Sequence, residues 1–263
     1  MVLKKIILIL CLILTPVLIT FCGDERETLE NTIIVGLDDT FVPMGFKDSN
    51  GEIVGFDVDL AKAVGGNIGY NVEFQPIDWS MKEMELDSGN IDVIWNGYSI
   101  TEERKGQVDF TKEYLKNRQV IITLKDSNIK DKDDLKGKAV AVQAESSSQE
   151  AVEKDKDMIK TFKKGELILF ESNNDAFMDL ESHRSDAIVA DEIMARYYIS
   201  KIGKEKFKVL DDDFGKELYS VGLRKGDDIL KDKINNALLE LKEHGTIKEI
   251  SNKWFKEDIT NIE

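Results

Sequence analysis

Arg104 is the residue of this chain best placed to grip an anion. Before it run Ile91-Asp92-Val93-Ile94-Trp95-Asn96-Gly97, in which Val93 and Ile94 read as a buried strand ended by the Asn96-Gly97 turn. Ser99-Ile100-Thr101-Glu102 then has the form of a capping box and predicts a helix start. Such a junction presents unpaired N–H groups and the positive end of a helix dipole. An arginine in its first turn or two adds a planar fork that takes a carboxylate through two hydrogen bonds. An ordinary junction with a solvated arginine fits the same residues. A second junction follows the apolar run over 138–143, where Ala144-Glu145-Ser146-Ser147-Ser148 leads into a helix expected over 148–157. Two carboxylates stand at strand ends, where they can hold a cation. Asp38 follows the run over 32–35 and precedes Phe41 and Pro43, and Asp191 closes the run over 185–191. Their competing readings are a turn or cap at Asp38 and the N-cap of a helix from Glu192 at Asp191.

The elements that must position these residues alternate. Asp48-Ser49-Asn50-Gly51 is a hairpin turn, and Gly55-Phe56-Asp57-Val58-Asp59-Leu60 opens a helix with Phe56, Leu60 and Val64 on one face. A strand over 70–74 leads to Pro76-Ile77-Asp78-Trp79, with Trp79 serving either core or cleft, and a helix over 81–86 follows. The densely charged run over 126–138 reads as a solvated loop and helix. Strands over 118–124, 167–170 and 218–223 and helices over 174–181, 228–243 and 247–255 complete the pattern. Alternation of this kind predicts mostly parallel sheets covered by helices on both faces.

A formal charge of −15 over 263 residues excludes a nucleic-acid partner, which needs a basic face, and recruitment by anionic lipid. Lys4 and Lys5 precede an apolar run over 6–21 and an abrupt polar switch at Cys22-Gly23-Asp24-Glu25, the pattern of an export signal. A cysteine at that switch predicts a lipoprotein anchored through Cys22; Phe21 departs from the small residue usual before it, so an uncleaved anchor remains an alternative. Residues 23–31 then form a polar tether. Cys11 lies within the signal, so the mature part has neither a disulfide framework nor a cysteine metal site. No calcium loop, metal cluster or G-x-S-x-G elbow occurs, and the only histidines are His183 and His244. No cofactor or metal is expected.

Taken together, these residues resemble the extracytoplasmic solute-binding proteins of polar amino-acid ABC transporters (family 3), typified by glutamine-, histidine- and lysine/arginine-binding proteins. Gly55-Phe56-Asp57-Val58-Asp59-Leu60 is the family signature. Asp38 with Phe41 and Pro43, Ser99 through Arg104, Gly137 through Val142, Asp186 through Asp191, and Gly245-Thr246 before Trp254-Phe255 support it, and the resemblance runs from about Ile33 to Phe255. It implies a type II periplasmic-binding-protein-like fold of two α/β lobes joined by a two-crossing hinge, with lobe one at 32–117 and 217–263 and lobe two at 118–216. It implies that Arg104 holds a ligand α-carboxylate, completed by the Ser146 and Ser147 loop. Gly97, Ser99 and Asp191 would hold the α-ammonium, Phe41 and Trp79 would wall the side chain, and Asp38 would reach its polar end. Glu145 stands where relatives usually carry glycine, and Ala190 where glutamine-binding relatives carry histidine, so glutamine is not implied. Trp95 and Asn96 replace smaller residues and are expected to narrow or line the pocket. Asp38 and Glu145 together favour a cationic or polar side chain.

The resulting expectation is a monomeric, exported, non-enzymatic protein that binds a free L-amino acid and delivers it to an ABC transporter permease, touching the membrane only through an N-terminal lipid anchor. Two alternatives are a dehydratase of cyclohexadienyl acids on the same fold, with Glu145 as general acid, and a ligand sensor. No receptor or kinase segment follows Phe255, which counts against the sensor.

Overall fold

Thirteen strands and nine α-helices alternate along residues 31–263, which the computed structural model describes. The export signal over 1–22, with Phe21 and Cys22, and all but the last residue of the 23–31 tether lie outside the described residues. The chain begins with β1 (Thr32–Leu37), β2 (Thr40–Phe41), β3 (Gly45–Lys47), β4 (Ile53–Val54), α1 (Phe56–Ile68) and β5 (Asn71–Pro76). After a 3-10 turn at Trp79–Met81 come α2 (Lys82–Asp87), β6 (Val93–Ile94), α3 (Glu102–Gln107) and β7 (Asp109–Phe110). Next are β8 (Leu115–Leu124), β9 (Val140–Gln143), α4 (Ser147–Glu153), α5 (Lys156–Ile159), β10 (Ile168–Phe170), α6 (Asn173–Glu181), β11 (Ala187–Asp191) and α7 (Glu192–Ile202). The chain returns through β12 (Phe207–Tyr219), β13 (Gly222–Leu223), α8 (Asp228–Glu243) and α9 (Thr246–Phe255).

Two five-stranded sheets organise these elements, in the orders β5-β1-β6-β13-β7 and β10-β9-β11-β8-β12, beside a small antiparallel sheet β2-β3-β4. The chain passes from the first sheet to the second once, into β8, and back once, out of β12. The sheets are mixed, not mostly parallel as alternation predicts. Strands separated by helices pair in parallel, as β1 does with β6 and β9 does with β10 and β11. The two crossing strands pair antiparallel with each other, β8 also pairs antiparallel with β11, and β13 runs antiparallel to β6 and β7.

Apolar periodicity explains the cores. Phe56, Leu60 and Val64 bury one stripe of α1, against which α8 presents Ile234 and Leu238 and α9 presents Ile247. The α1 helix ends at Gly69, whose left-handed φ of 75° lets its N–H close on Gly65 O. Three expectations change. The helix over 148–157 breaks after Glu153, and the Asp155 side chain starts a new turn by accepting from Met158 N. The run over 126–138 holds only a 3-10 turn at Asp133–Leu135. The strand over 218–223 is instead the end of β12 followed by β13; the earlier part of β12 is masked in sequence by Asp211-Asp212-Asp213, charges that an edge strand with bulges tolerates.

The signature glycine has a steric basis. Gly55 sits at a φ of 153°, and a Cβ there would meet Met44 O at 2.1 Å, where the 43–45 segment crosses the start of α1. Phe56 N and Asp57 N donate to Pro43 O and Met44 O in the same place. Replacing Gly55 by alanine is expected to destabilise the fold by about 2 kcal/mol or more in urea unfolding; an unchanged midpoint would show that the segment yields freely.

Candidate functional site

Thr101, and not Ser99, caps the helix that carries Arg104: its hydroxyl accepts from Arg104 N at 3.2 Å. Ser99 instead forms an antiparallel bridge with Tyr219. The α3 helix is only six residues long, so the guanidinium, more than the helix dipole, defines the local charge. Arg104 is 5% exposed. Its Nη1 donates to Ser99 O at 3.1 Å and its Nη2 to Glu145 O at 3.4 Å, and the guanidinium lies 4.4 Å above the Tyr98 ring. Among the described residues it forms no ion pair with a carboxylate. A desolvated cation left with carbonyl partners is costly unless an anion joins it.

Facing it is the turn from β9 into α4. Ser146 caps α4 by accepting from Gln149 N at 3.1 Å and donates to Gln143 O at 2.6 Å. Ser147 Oγ donates to Ser99 Oγ at 3.2 Å, and Gln143 Nε2 donates to Asp38 Oδ2 at 2.8 Å. Glu145 holds a left-handed φ of 54°, which explains why glycine suits this position. Its carbonyl accepts from Lys82 Nζ at 2.9 Å as well as from Arg104. The Glu145 side chain is exposed and faces an adjoining crevice with Lys82, Glu83 and Glu103, which shares Arg104 and Ser146 with the cavity, so the expectation is corrected in that its carboxylate does not line the pocket. Desolvation first, then the neighbouring Arg104 charge, pushes the buried Lys82 ammonium down to about 8.

The acids complete the opposite polarity. Asp38 accepts from Thr40 N at 2.9 Å and Thr40 Oγ1 at 2.6 Å on one carboxylate oxygen, which makes the turn, while the other oxygen meets Gln143. Burial raises its pKa above the ordinary value. Asp191 occupies the N-cap position of α7 without capping it. Its carboxylate accepts from Asn117 Nδ2 at 2.5 Å, Tyr219 Oη at 2.6 Å and Gln119 Nε2 at 3.2 Å, all neutral donors. Burial, and next the charge of Glu217, hold its carboxyl well above the usual range.

Gly97 links this site to the scaffold. At a φ of 61° its N–H donates to Asp57 Oδ2 at 2.6 Å, and a Cβ would lie 2.8 Å from the Phe41 ring. Asp57 is buried and also accepts from Tyr114 Oη at 2.9 Å, so the signature aspartate ties the binding loop to the start of the crossing strand. Desolvation pushes its carboxyl up to about 7.

Asp38, Phe41, Trp79, Asn96, Gly97, Arg104, Ser146, Ser147 and Asp191 line one small, partly enclosed cavity. Trp79 therefore faces the cavity while its edge packs on Tyr98 in the core, 6.0 Å between ring centroids. Asn96 Oδ1 accepts from Asp38 N at 3.1 Å. Ser99 is buried beside the cavity and does not line it. Gln143 does line it and is absent from the sequence expectations. Its position, a polar residue ending a buried strand, is the same signal that marks Asp38 and Asp191. Glu217, Asn117 and Gln119 are also missed, since nothing local distinguishes them.

A family model described as bacterial extracellular solute-binding proteins, family 3, matches residues 33–257. The arginine-binding extracellular protein ArtP of Bacillus subtilis is 32% identical over 260 residues, covering 96% of this chain and 98% of that protein. The L-cystine-binding protein TcyJ of Escherichia coli is 30% identical over 231 residues, covering 87% and 84%. A substrate-binding protein of an ABC uptake transporter from Streptococcus pneumoniae, solved with bound histidine, has a TM-score of 0.86 at 40% identity, covering 91% of this chain and 99% of that one.

Asp57 gives a signed pH dependence. Between its ordinary pKa of 3.8 and about 7, the folded chain keeps a proton that the unfolded chain has released, so this group makes stability fall as pH rises through that window. Relative to the parent, an Asp57→Asn variant is expected to gain roughly 1 kcal/mol per pH unit across it. Urea midpoints for both proteins at several pH values check this; a constant difference would mean that Asp57 titrates normally.

Proposed function

The chain belongs to the bacterial extracellular solute-binding proteins of family 3, and from that premise we propose that it binds a free L-amino acid with a polar or cationic side chain and delivers it to the permease of an ABC transporter. The observation that carries this reading is the buried Arg104, without a carboxylate partner among the described residues, sharing a small cavity with the buried acids Asp191 and Asp38. A molecule bearing both a carboxylate and an ammonium satisfies both ends at once.

Arg104 takes the α-carboxylate, aided by the Ser146–Ser147 turn, while Asp191 and the Gly97 carbonyl take the α-ammonium, with Ser99 supporting them from behind the cavity wall. Phe41 and Trp79 flank the side chain, and Asp38, braced by Gln143 and Asn96, meets its polar end. With Glu145 turned away, the case for a cationic or polar side chain rests on Asp38 and on relatives named for arginine or solved with histidine. The division into lobe one (32–117 and 217–263) and lobe two (118–216) is supported by the single passage into β8 and the single return from β12. Because the family is one of solute-binding proteins, the dehydratase alternative falls away. The Cys22 anchor and the permease partner rest on the export pattern and the family.

Isothermal titration with L-arginine, L-lysine, L-histidine, L-glutamine and L-cystine is expected to give binding to at least one; binding confined to acidic or aliphatic amino acids would overturn the side-chain assignment. Arg104→Ala is expected to weaken that binding about 100-fold or more with an unchanged circular-dichroism spectrum. Unchanged affinity would remove Arg104 from the site. In cell fractionation, Cys22→Ser is expected to move the protein out of the membrane fraction, and continued membrane retention argues for an uncleaved anchor.

A further inference from the structure

Glu217 lies outside the cavity lining, yet it shares its hydrogen-bond donors with Asp191. In the ladder between β8 and β12, Glu217 stands across from Asn117; in the ladder between β11 and β8, Asp191 stands across from Gln119. Asn117 and Gln119 are two residues apart on one strand, so their side chains share a face. Asn117 Nδ2 donates to Asp191 Oδ1 at 2.5 Å and to Glu217 Oε1 at 2.6 Å. Gln119 Nε2 donates to the same two oxygens at 3.2 Å and 2.7 Å. Two carboxylate oxygens leaning on the same two amide groups are near neighbours, and among the described residues neither acid has a cationic partner. Like charges so placed cannot both ionise without a large penalty. Because β8, β11 and β12 belong to one sheet, strand register sets this juxtaposition.

The surroundings offer no compensating charge. Tyr219 donates its hydroxyl to Asp191 at 2.6 Å, and the Tyr114 ring lies against Tyr219. From α4 comes the uncharged Ser147, which donates to Ser99. Arg104 donates to the Ser99 and Glu145 carbonyls and to neither acid, and Arg118, on the alternate face of β8, is engaged by Glu192 and Asp213. Glu217 also accepts the Ser99 hydroxyl at 2.7 Å, which turns the Ser99 oxygen lone pairs toward other donors.

We propose that Asp191, set beside Glu217, holds a proton in the ligand-free protein and releases it to solvent when the α-ammonium of an amino acid arrives. The proposal rests on the amino-acid reading above and deepens it. The exchange balances: the carboxyl–carboxylate pair and the ammonium enter, and a dianionic pair bound to the ammonium leaves with one hydrated proton. The buried O–H of the pair is the bond broken, and the bond formed is from that proton to the water, and then the buffer base, that accepts it. Glu217 is a positioning residue, since it acts through Asp191, Ser99 and the two amides. Burial and the neighbouring carboxylate, which hold Asp191 well above its usual range, agree with a retained proton. Because binding releases a proton, affinity rises with pH by up to about tenfold per unit and levels off once the pair is ionised before binding.

The test is calorimetry on the full chain near neutral pH with L-arginine and L-glutamine, whose side chains do not titrate there, in buffers of different ionisation enthalpy. Binding heat is expected to vary with buffer enthalpy with a slope of on the order of one released proton. Glu217→Gln is expected to keep binding while the slope falls toward zero and the pH profile of affinity flattens, a change that lost packing alone would not produce. Binding with a zero slope in the parent protein overturns the proposal, as does a folded Glu217→Gln variant that keeps the slope. If that variant does not fold, the parent slope alone decides. Absence of binding by every amino acid in the titration panel overturns the functional reading instead, an outcome distinct from binding without proton release.

Discussion

Burying a charge without its partner is the constraint on which this structure turns. A desolvated guanidinium or carboxylate costs several kcal/mol unless an opposite charge or a full set of hydrogen bonds compensates it. Here Arg104 meets carbonyl oxygens and an aromatic face, and Asp38 and Asp191 meet only amides, hydroxyls and backbone N–H groups. The protein keeps the two signs apart across one small cavity and does not let them neutralise each other. Much of the compensation is thereby left to a dipolar occupant, and a solute that lacks either charge leaves one end unpaired.

Holding that separation requires rigid supports, and they come from the frame of the fold. Gly97 is pinned to Asp57 at the start of α1, and the same carboxylate holds Tyr114 at the entry to β8. Asn117 and Gln119 on β8 and Glu217 and Tyr219 on β12 then brace Asp191 and Ser99. Site and crossing strands are thus one hydrogen-bonded body. Across the cleft, Gln143 to Asp38, Ser147 to Ser99, and Lys82 and Arg104 to the Glu145 carbonyl join the two sheets around the cavity.

Much of this was legible in the residues and some was not, for identifiable reasons. Helices such as α8 announce themselves through apolar spacing and a closing glycine, both local properties. Strand-end acids and the Arg104 junction are likewise local. The charged first half of β12 was hidden because an edge strand has no need of apolar alternation. Ser99 looked like a cap, but the neighbouring Thr101 took that role and freed the Ser99 hydroxyl for Glu217. Glu145 looked like a pocket acid, but its left-handed backbone sends the carbonyl across the cleft and leaves the side chain exposed.

What the sequence determined by itself is the family, the alternation of strands and helices apart from the first half of β12 and the breaks near 126–138 and 153–156, and the charged, aromatic and hydroxyl residues that line the cavity, because short-range patterns and a specific signature encode them. Only the tertiary structure decided which polar groups share partners. Ser99 meets Glu217 across 118 positions of chain, and Gln143 meets Asp38 across 105. Such pairings follow from strand register and from the approach of two sheets. A register is set by the packing of whole strands against both neighbours, which no local stretch of residues contains.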